Sequence, residues 1–100
     1  MKARFFMSLV VTGIFVLGCA DSKTYTNQGV DHIRKGDWDQ AILDCTKAIE
    51  IDSKDAIAYN NRGAAYGMKG DYGRAILDYK RACELGLEAG CKNLKTWQSR

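Results

Sequence analysis

The stretch YNNRGAAYGMKGDYGRAILDYKRACE (residues 59–84) repeats an earlier one, YTNQGVDHIRKGDWDQAILDCTKAIE (residues 25–50), at an offset of 34 residues. Twelve positions are identical between the two copies, whereas ordinary composition gives about two identities by chance. A duplication with this period predicts two copies of one structural unit, stacked side by side.

Each copy is expected to form two helices joined by a turn. In the second copy, Tyr59, Gly63 and Tyr66 recur at helical spacing, and the spacing resumes from Ala75 after a break at Gly70. The glycine and alanine positions would let the two helix backbones approach closely.

The period and these positions resemble the tetratricopeptide repeat, whose pattern is W-x2-L-G-x2-Y, then A-x3-F, then P. The second copy places these residues in the pattern's slots: Tyr59, Gly63, Tyr66, Ala75 and Tyr79. It departs from the pattern at Arg62 and Leu87. The first copy keeps Tyr25, Gly29 and Ala41 but departs at Gln28, His32, Cys45 and Ser53.

The resemblance implies an all-α protein, an α-solenoid of two tetratricopeptide-like helix–turn–helix units at residues 22–53 and 56–87. In residues 88–100, Cys91, Leu94 and Trp97 recur at helical spacing among polar residues. This spacing predicts a C-terminal capping helix that covers the open apolar face of the second unit.

The N-terminus, residues 1–18, is predicted to be a signal peptide. Lys2 and Arg4 precede an apolar run over residues 5–17, which at about 20 Å is too short to cross a hydrocarbon core of about 30 Å. Cleavage after residue 18 would leave 13 basic and 12 acidic side chains. A balance so near neutral does not favour a nucleic-acid partner.

The sequence Val16-Leu17-Gly18-Cys19 is similar to a bacterial lipobox, although Leu17 is larger than the residue usual at its position. The resemblance implies that Cys19 carries diacylglycerol and, after cleavage, a further acyl chain such as palmitate. Two or three acyl chains make a stable membrane anchor. We therefore expect a periplasm-facing protein of the bacterial envelope, and Ala20 beside Cys19 favours the outer membrane. The alternative is ordinary secretion with a free Cys19.

The segment from Cys83 to Cys91 is similar to the Sel-like relatives of tetratricopeptide repeats, in which a disulfide of this spacing joins one unit to the next. The resemblance implies a Cys83–Cys91 disulfide. Cys45 stands where the second unit has Tyr79, and we expect a small buried side chain there rather than a reactive thiol.

No catalytic site, metal site or cofactor site is predicted. The chain has one histidine, no G-x-S-x-G and no glycine-rich phosphate loop. A metal site from His32 and the cysteines would lack the ligand spacings typical of zinc, so we expect His32 to lie within the fold with a ring nitrogen hydrogen-bonded. Hydrolase activity has been proposed for Sel-like relatives, but this sequence offers no nucleophile for it.

In the tetratricopeptide family the first helices of the units line a concave groove that binds extended peptides. Carried over to this sequence, the groove comprises Asn27, Val30, Asn60, Asn61, Ala64, Met68 and Asn93. Asn27, Asn61 and Asn93 fall in one slot, which resembles an asparagine ladder that holds peptide backbone; the alternative is a merely solvated face. Thr26 and Val30 stand where the family's carboxylate clamp has its first Lys and Asn.

We therefore expect a non-catalytic module that binds a protein or extended peptide in the cell envelope. The alternative is a structural component that self-associates without a peptide ligand.

Overall fold

The computed structural model describes residues 21–100, which form five helices. They are α1 (Ser22–Arg34), α2 (Trp38–Ile51), α3 (Ala56–Lys69), α4 (Tyr72–Glu84) and α5 (Glu88–Gln98). The predicted all-α solenoid of helix–turn–helix units is confirmed. The predicted signal peptide and Cys19 lie outside the described residues.

An aspartate begins each of the first four helices. The side chains of Asp21, Asp37, Asp55 and Asp71 each accept a hydrogen bond from a backbone N–H in the first turn that follows. Capping of this kind satisfies N–H groups that have no partner within the helix. Because Asp21 and Asp55, like Asp37 and Asp71, are 34 residues apart, the helix starts follow the sequence repeat.

Three of the four turns between the described helices contain a glycine with a positive φ angle. Gly36, Gly70 and Gly86 have φ angles of 76°, 89° and 99°, a left-handed region in which other residues are strained. Gly70 directly follows α3 as its C-cap. These positions let the chain reverse sharply between α1 and α2, between α3 and α4 and between α4 and α5, and the two helices of each of these pairs pack together.

The core is built mainly from small side chains. Its fully buried alanines come from α2, α3 and α4: Ala41, Ala48, Ala58, Ala65, Ala75 and Ala82. Gly29 and Gly63 lie where the two helices of each unit cross closely, since a Cβ on Gly29 would lie 2.8 Å from Cys45 Sγ and one on Gly63 would lie 3.1 Å from the Tyr79 ring. Close packing of helices therefore replaces a core of large apolar residues.

Helix α5 covers the second unit, as the sequence predicts for a cap. The Trp97 ring lies 5.3 Å from the Tyr72 ring and 6.1 Å from that of Tyr79, against the backbone at Gly67. At the start of α5 a disulfide joins Cys91 to Cys83 at the end of α4. The cap is thus fastened covalently at one end and by aromatic packing at the other.

Candidate peptide-binding face

The first helices of the units, α1, α3 and α5, lie next to one another and form one face of the molecule. Contacts join α1 to α3 and α3 to α5. Hydrogen bonds from the hydroxyls of Ser22 and Thr26 to Asp55 hold the start of α1 against the start of α3. Partial burial would raise the pKa of Asp55, but these hydrogen bonds outweigh it and lower that pKa below its usual value.

Two of the predicted groove residues are in direct contact. The side-chain amide of Asn93 on α5 donates to Oδ1 of Asn60 on α3 over 2.9 Å. The two amides are therefore partly occupied with each other. This bond joins neighbouring first helices across the face, where the sequence placed Asn93 in a ladder with Asn27 and Asn61.

Asn61 lies at the centre of α3, and its side chain is neither fully exposed nor fully hydrogen-bonded. Its residue is half-buried, and its Nδ2 atom is buried without a hydrogen-bond partner among the described residues. A buried amide donor with no acceptor is costly, by about 1–3 kcal/mol. Asn61 thus carries a donor that the described part of the chain leaves unsatisfied.

The remaining predicted groove residues differ in exposure. Asn27 is exposed, and Val30 and Ala64 are half-buried. Met68 is 60% exposed near the end of α3. The face therefore offers amide groups in its middle and apolar side chains beside them.

Arg62 is a structural residue whose role the sequence reasoning missed. Its Nε and Nη2 donate to the two carboxylate oxygens of Asp78 over 2.8 and 2.9 Å, and its Nη1 donates to Thr46 Oγ1 over 3.2 Å. One guanidinium thus joins α3 to α4 and to α2 in the preceding unit. The hydrogen bonds to Asp78 raise the pKa of Arg62, against the opposing effect of burial. The signal in the sequence was an arginine at a leucine slot, together with an aspartate at position 78.

A shallow depression of about 240 Å³ lies beside this ion pair. It is lined by Arg62, Tyr66, Arg74, Leu77 and Asp78. The guanidinium groups of Arg62 and Arg74 lie 5.9 and 5.6 Å from the centre of the Tyr66 ring, within the range of cation–π attraction. Asp78 pairs with Arg62, and Asp71 Oδ2 lies 3.5 Å from Arg74 Nε, so both arginines that line the depression have an acidic partner.

In the first unit, the aspartate equivalent to Asp78 faces a histidine instead of an arginine. Asp44, the repeat equivalent of Asp78, is 4% exposed, and its Oδ2 lies 3.5 Å from His32 Nε2. Gln28 replaces the arginine. His32 Nδ1, 3.7 Å from Asp37 Oδ2, is buried without a hydrogen bond. Of the two ring nitrogens, Nδ1 therefore makes no hydrogen bond within residues 21–100, and Nε2 has the Asp44 carboxylate at 3.5 Å.

The thiol of Cys45 is fully buried and free. Burial raises its pKa to about 12, which leaves it protonated and unreactive near neutral pH. Within residues 21–100, no cluster of three or more potential metal ligands is present. None of the helices in this part of the chain is long and apolar enough to cross a membrane.

Comparison with known proteins identifies the fold's family. A family model described as "TPR repeat" matches residues 31–70, and one described as "Tetratricopeptide repeat" matches residues 56–85. No curated protein sequence matches the chain.

Solved structures agree with the family models. An Arabidopsis OM64 TPR domain superimposes with a TM-score of 0.78 at 29% identity, over 88% of this chain and 74% of that one. The first TPR of Spaghetti (RPAP3), solved with the HSP90 peptide SRMEEVD, gives a TM-score of 0.74 at 25% identity, over 79% of this chain. The chain spans 64% of the length of that second structure. Residues 31–85, more than half of this chain, therefore belong to the tetratricopeptide repeat family.

Proposed function

We propose that this protein is a non-catalytic interaction module that binds another protein or an extended peptide on the face formed by α1, α3 and α5. We further propose that a lipidated Cys19 tethers it to the bacterial envelope, on the periplasmic side and by preference at the outer membrane.

The observation that carries the binding proposal is the unsatisfied amide of Asn61. Because Nδ2 itself is buried, a ligand can accept from this amide only after rotation of the terminal group exchanges nitrogen and oxygen and turns the donor toward the exposed part of this half-buried residue. A peptide backbone offers a C=O acceptor and an N–H donor together, which match the two ends of an asparagine amide. Asn61 would then hold peptide backbone irrespective of sequence.

The flanking side chains support an extended ligand. The small, half-buried side chain of Ala64, about one turn after Asn61 on α3, leaves room for a ligand. Met68, one turn after Ala64, gives a flexible apolar contact. The Spaghetti (RPAP3) repeat domain was solved with a bound peptide, which supports the same use of the fold here. Thr26 and Val30 replace the clamp residues, so we expect recognition of backbone and apolar side chains more than of a terminal carboxylate.

The experiment is a pull-down from envelope extract with the tethered protein, followed by affinity measurements on the partner obtained. Asn61→Ala should weaken binding about tenfold, equal to 1.4 kcal/mol, and by a similar factor for every ligand. The matched control is Lys80→Glu, at an exposed position of α4 outside the proposed face. Circular dichroism should show both variants folded. An affinity unchanged by Asn61→Ala but lost in Lys80→Glu would refute the proposal and move the site to the second helices.

Self-association is the second candidate, and one observation favours it. Leu43 on α2 and Leu77 on α4 occupy the same slot of the two units and are 54% and 66% exposed. The sequence of α1 does not favour end-to-end stacking of copies. At the positions where α3 packs against the preceding unit, α1 has polar residues that face outward. These are Thr24, Gln28 and Asp31, at the slots of Ala58, Arg62 and Ala65. A concentration series in light scattering distinguishes a self-associating protein from a monomeric binder.

A further inference from the structure

One edge of the solenoid is fixed close to the point where the proposed lipid anchor joins the chain. Turns of a few residues reverse the chain between packed helices, so the start of α1 lies beside the turn between α2 and α3. The hydrogen bonds from Ser22 and Thr26 to Asp55 show this contact directly. We call this region the tether edge, defined as residues 21–23 together with residues 50–57.

Two large apolar side chains are exposed on the tether edge. Ile51, the last residue of α2, is 48% exposed, and Ile57, in the first turn of α3, is 53% exposed. Single exposed apolar residues are common on soluble proteins and need no explanation by themselves. Here, however, the two isoleucines flank one turn, and that turn is hydrogen-bonded to the helix that follows the anchor.

The length of chain between the anchor and the fold limits how far the tether edge can lie from the membrane. Cys19 and Ser22 are three residue steps apart, which is about 11 Å when fully extended. The headgroup layer on one side of a bilayer is itself roughly 5–8 Å thick. With its acyl chains in the hydrocarbon, Cys19 would therefore keep the tether edge within the headgroup layer or, at the greatest extension, just above it.

We propose that the tether edge rests in the interface of the membrane that holds the anchor, with Ile51 and Ile57 at the boundary between headgroups and acyl chains. This inference rests on the lipidation of Cys19 in the proposed function. Since the anchor makes the contact intramolecular, two partly buried isoleucines are enough to hold the orientation. The turns at Gly36 and Gly70, at the opposite edge, then point away from the membrane, and the face of α1, α3 and α5 opens sideways to a ligand in the periplasm.

The contact is apolar rather than electrostatic. The exposed charged residues of the tether edge are Asp21, Lys23, Glu50, Asp52 and Lys54, so that acidic groups outnumber basic ones. Basic clusters are what attach a protein to anionic lipid, and this edge has none. The insertion depth should therefore be the same in zwitterionic and anionic membranes.

The test uses spin labels on the full acylated lipoprotein in phosphatidylcholine vesicles, with and without phosphatidylglycerol. Labels are placed at Ile51→Cys and at Ile57→Cys. The matched control is Leu43→Cys, because Leu43 is 54% exposed on α2, away from the tether edge. Cys45 is fully buried with its pKa raised to about 12, so it should stay unlabelled.

Collision with oxygen, which concentrates in lipid, is compared with collision with a water-soluble nickel complex. We expect labels at 51 and 57 to favour oxygen several-fold over the label at 43, equally in both vesicle types. Labels at 51 and 57 as accessible to nickel as the label at 43, on protein whose acylation mass spectrometry has verified, would overturn the inference and leave the anchor intact. Protection in native membranes but not in pure lipid would also overturn it and indicate a protein partner. A mass spectrum without acyl groups on Cys19 would instead refute the tether itself.

Discussion

Arg62 shows at the scale of one residue how two repeat units are joined. Its side chain is 19% exposed and that of Asp78 is 8% exposed, and the guanidinium also reaches Thr46 of the unit before. Removing one partner of such a buried ion pair is strongly destabilising, because the other charge is left buried and uncompensated. The arginine therefore links the two helices of the second unit to each other and to the unit before.

We expect Arg62→Leu, which restores the family's residue, to lower the free energy of unfolding by roughly 3 kcal/mol, because Asp78 is left as an unpaired buried carboxylate. Urea denaturation followed by circular dichroism measures this. The control is Arg62→Leu combined with Asp78→Leu, which removes both charges and should recover much of the loss. A single variant as stable as the native protein would show that solvent, not Arg62, compensates Asp78.

At the scale of one element, the docking of α5 depends on the absence of a side chain at Gly67. A Cβ there would lie 2.5 Å from the Trp97 ring, closer than non-bonded carbons approach. Trp97 also contacts Tyr72 and Tyr79, so its ring has little room to shift. Helix α5 can therefore pack in this position only when residue 67 is a glycine.

Gly67→Ala should consequently destabilise the protein by about 1–3 kcal/mol through overpacking, with a change in tryptophan fluorescence as the ring is displaced. Gly73→Ala is the matched control, since a Cβ at Gly73 meets nothing within 4 Å. Alanine at this helical position should leave stability unchanged or raise it by up to about 1 kcal/mol. Equal effects of the two substitutions in thermal unfolding would contradict the packing of Trp97 on α3.

The Cys83–Cys91 disulfide fastens the other end of α5. Closing a loop of this length contributes about 2.5 kcal/mol through the entropy of the unfolded chain. Reducing agent, or Cys83→Ala, should therefore lower the midpoint of thermal unfolding by several degrees, at ~4–8 °C for each kcal/mol. Cys45→Ala should leave the disulfide in place. Peptide mass mapping that finds Cys45 linked to either partner would show a different pairing.

At the scale of the whole molecule, the position of the protein in the cell depends on residue 19. Cys19→Ala should abolish acyl labelling and move the protein from the membrane fraction to the soluble periplasmic fraction, because no described helix could hold it in the bilayer. Cell fractionation with a carbonate wash measures this. Membrane association of the variant that survives the wash would mean that residues 5–17 anchor the chain as an uncleaved helix.

Much of the fold could be predicted from the sequence because it rests on local chemistry and on repetition. The period of 34 residues, glycines such as Gly70 at the turns and small residues at the helix crossings act through backbone conformation and helical spacing. The capping helix was predicted for the same reason, since Leu94 and Trp97 recur at the spacing of one helix face. These features need no knowledge of distances between side chains.

The site depends on such distances, and only the tertiary structure decided it. The sequence aligned Asn61 with Asn93 by register. In the structure Asn93 instead donates to Asn60, and the Asn61 donor is buried without a partner among residues 21–100. The bridging role of Arg62 was likewise hidden, because it requires Asp78 and Thr46, each 16 residues away, to meet one guanidinium. Helical spacing fixes the face on which a side chain lies, but the torsion angles and the separation of packed helices decide which atoms it reaches.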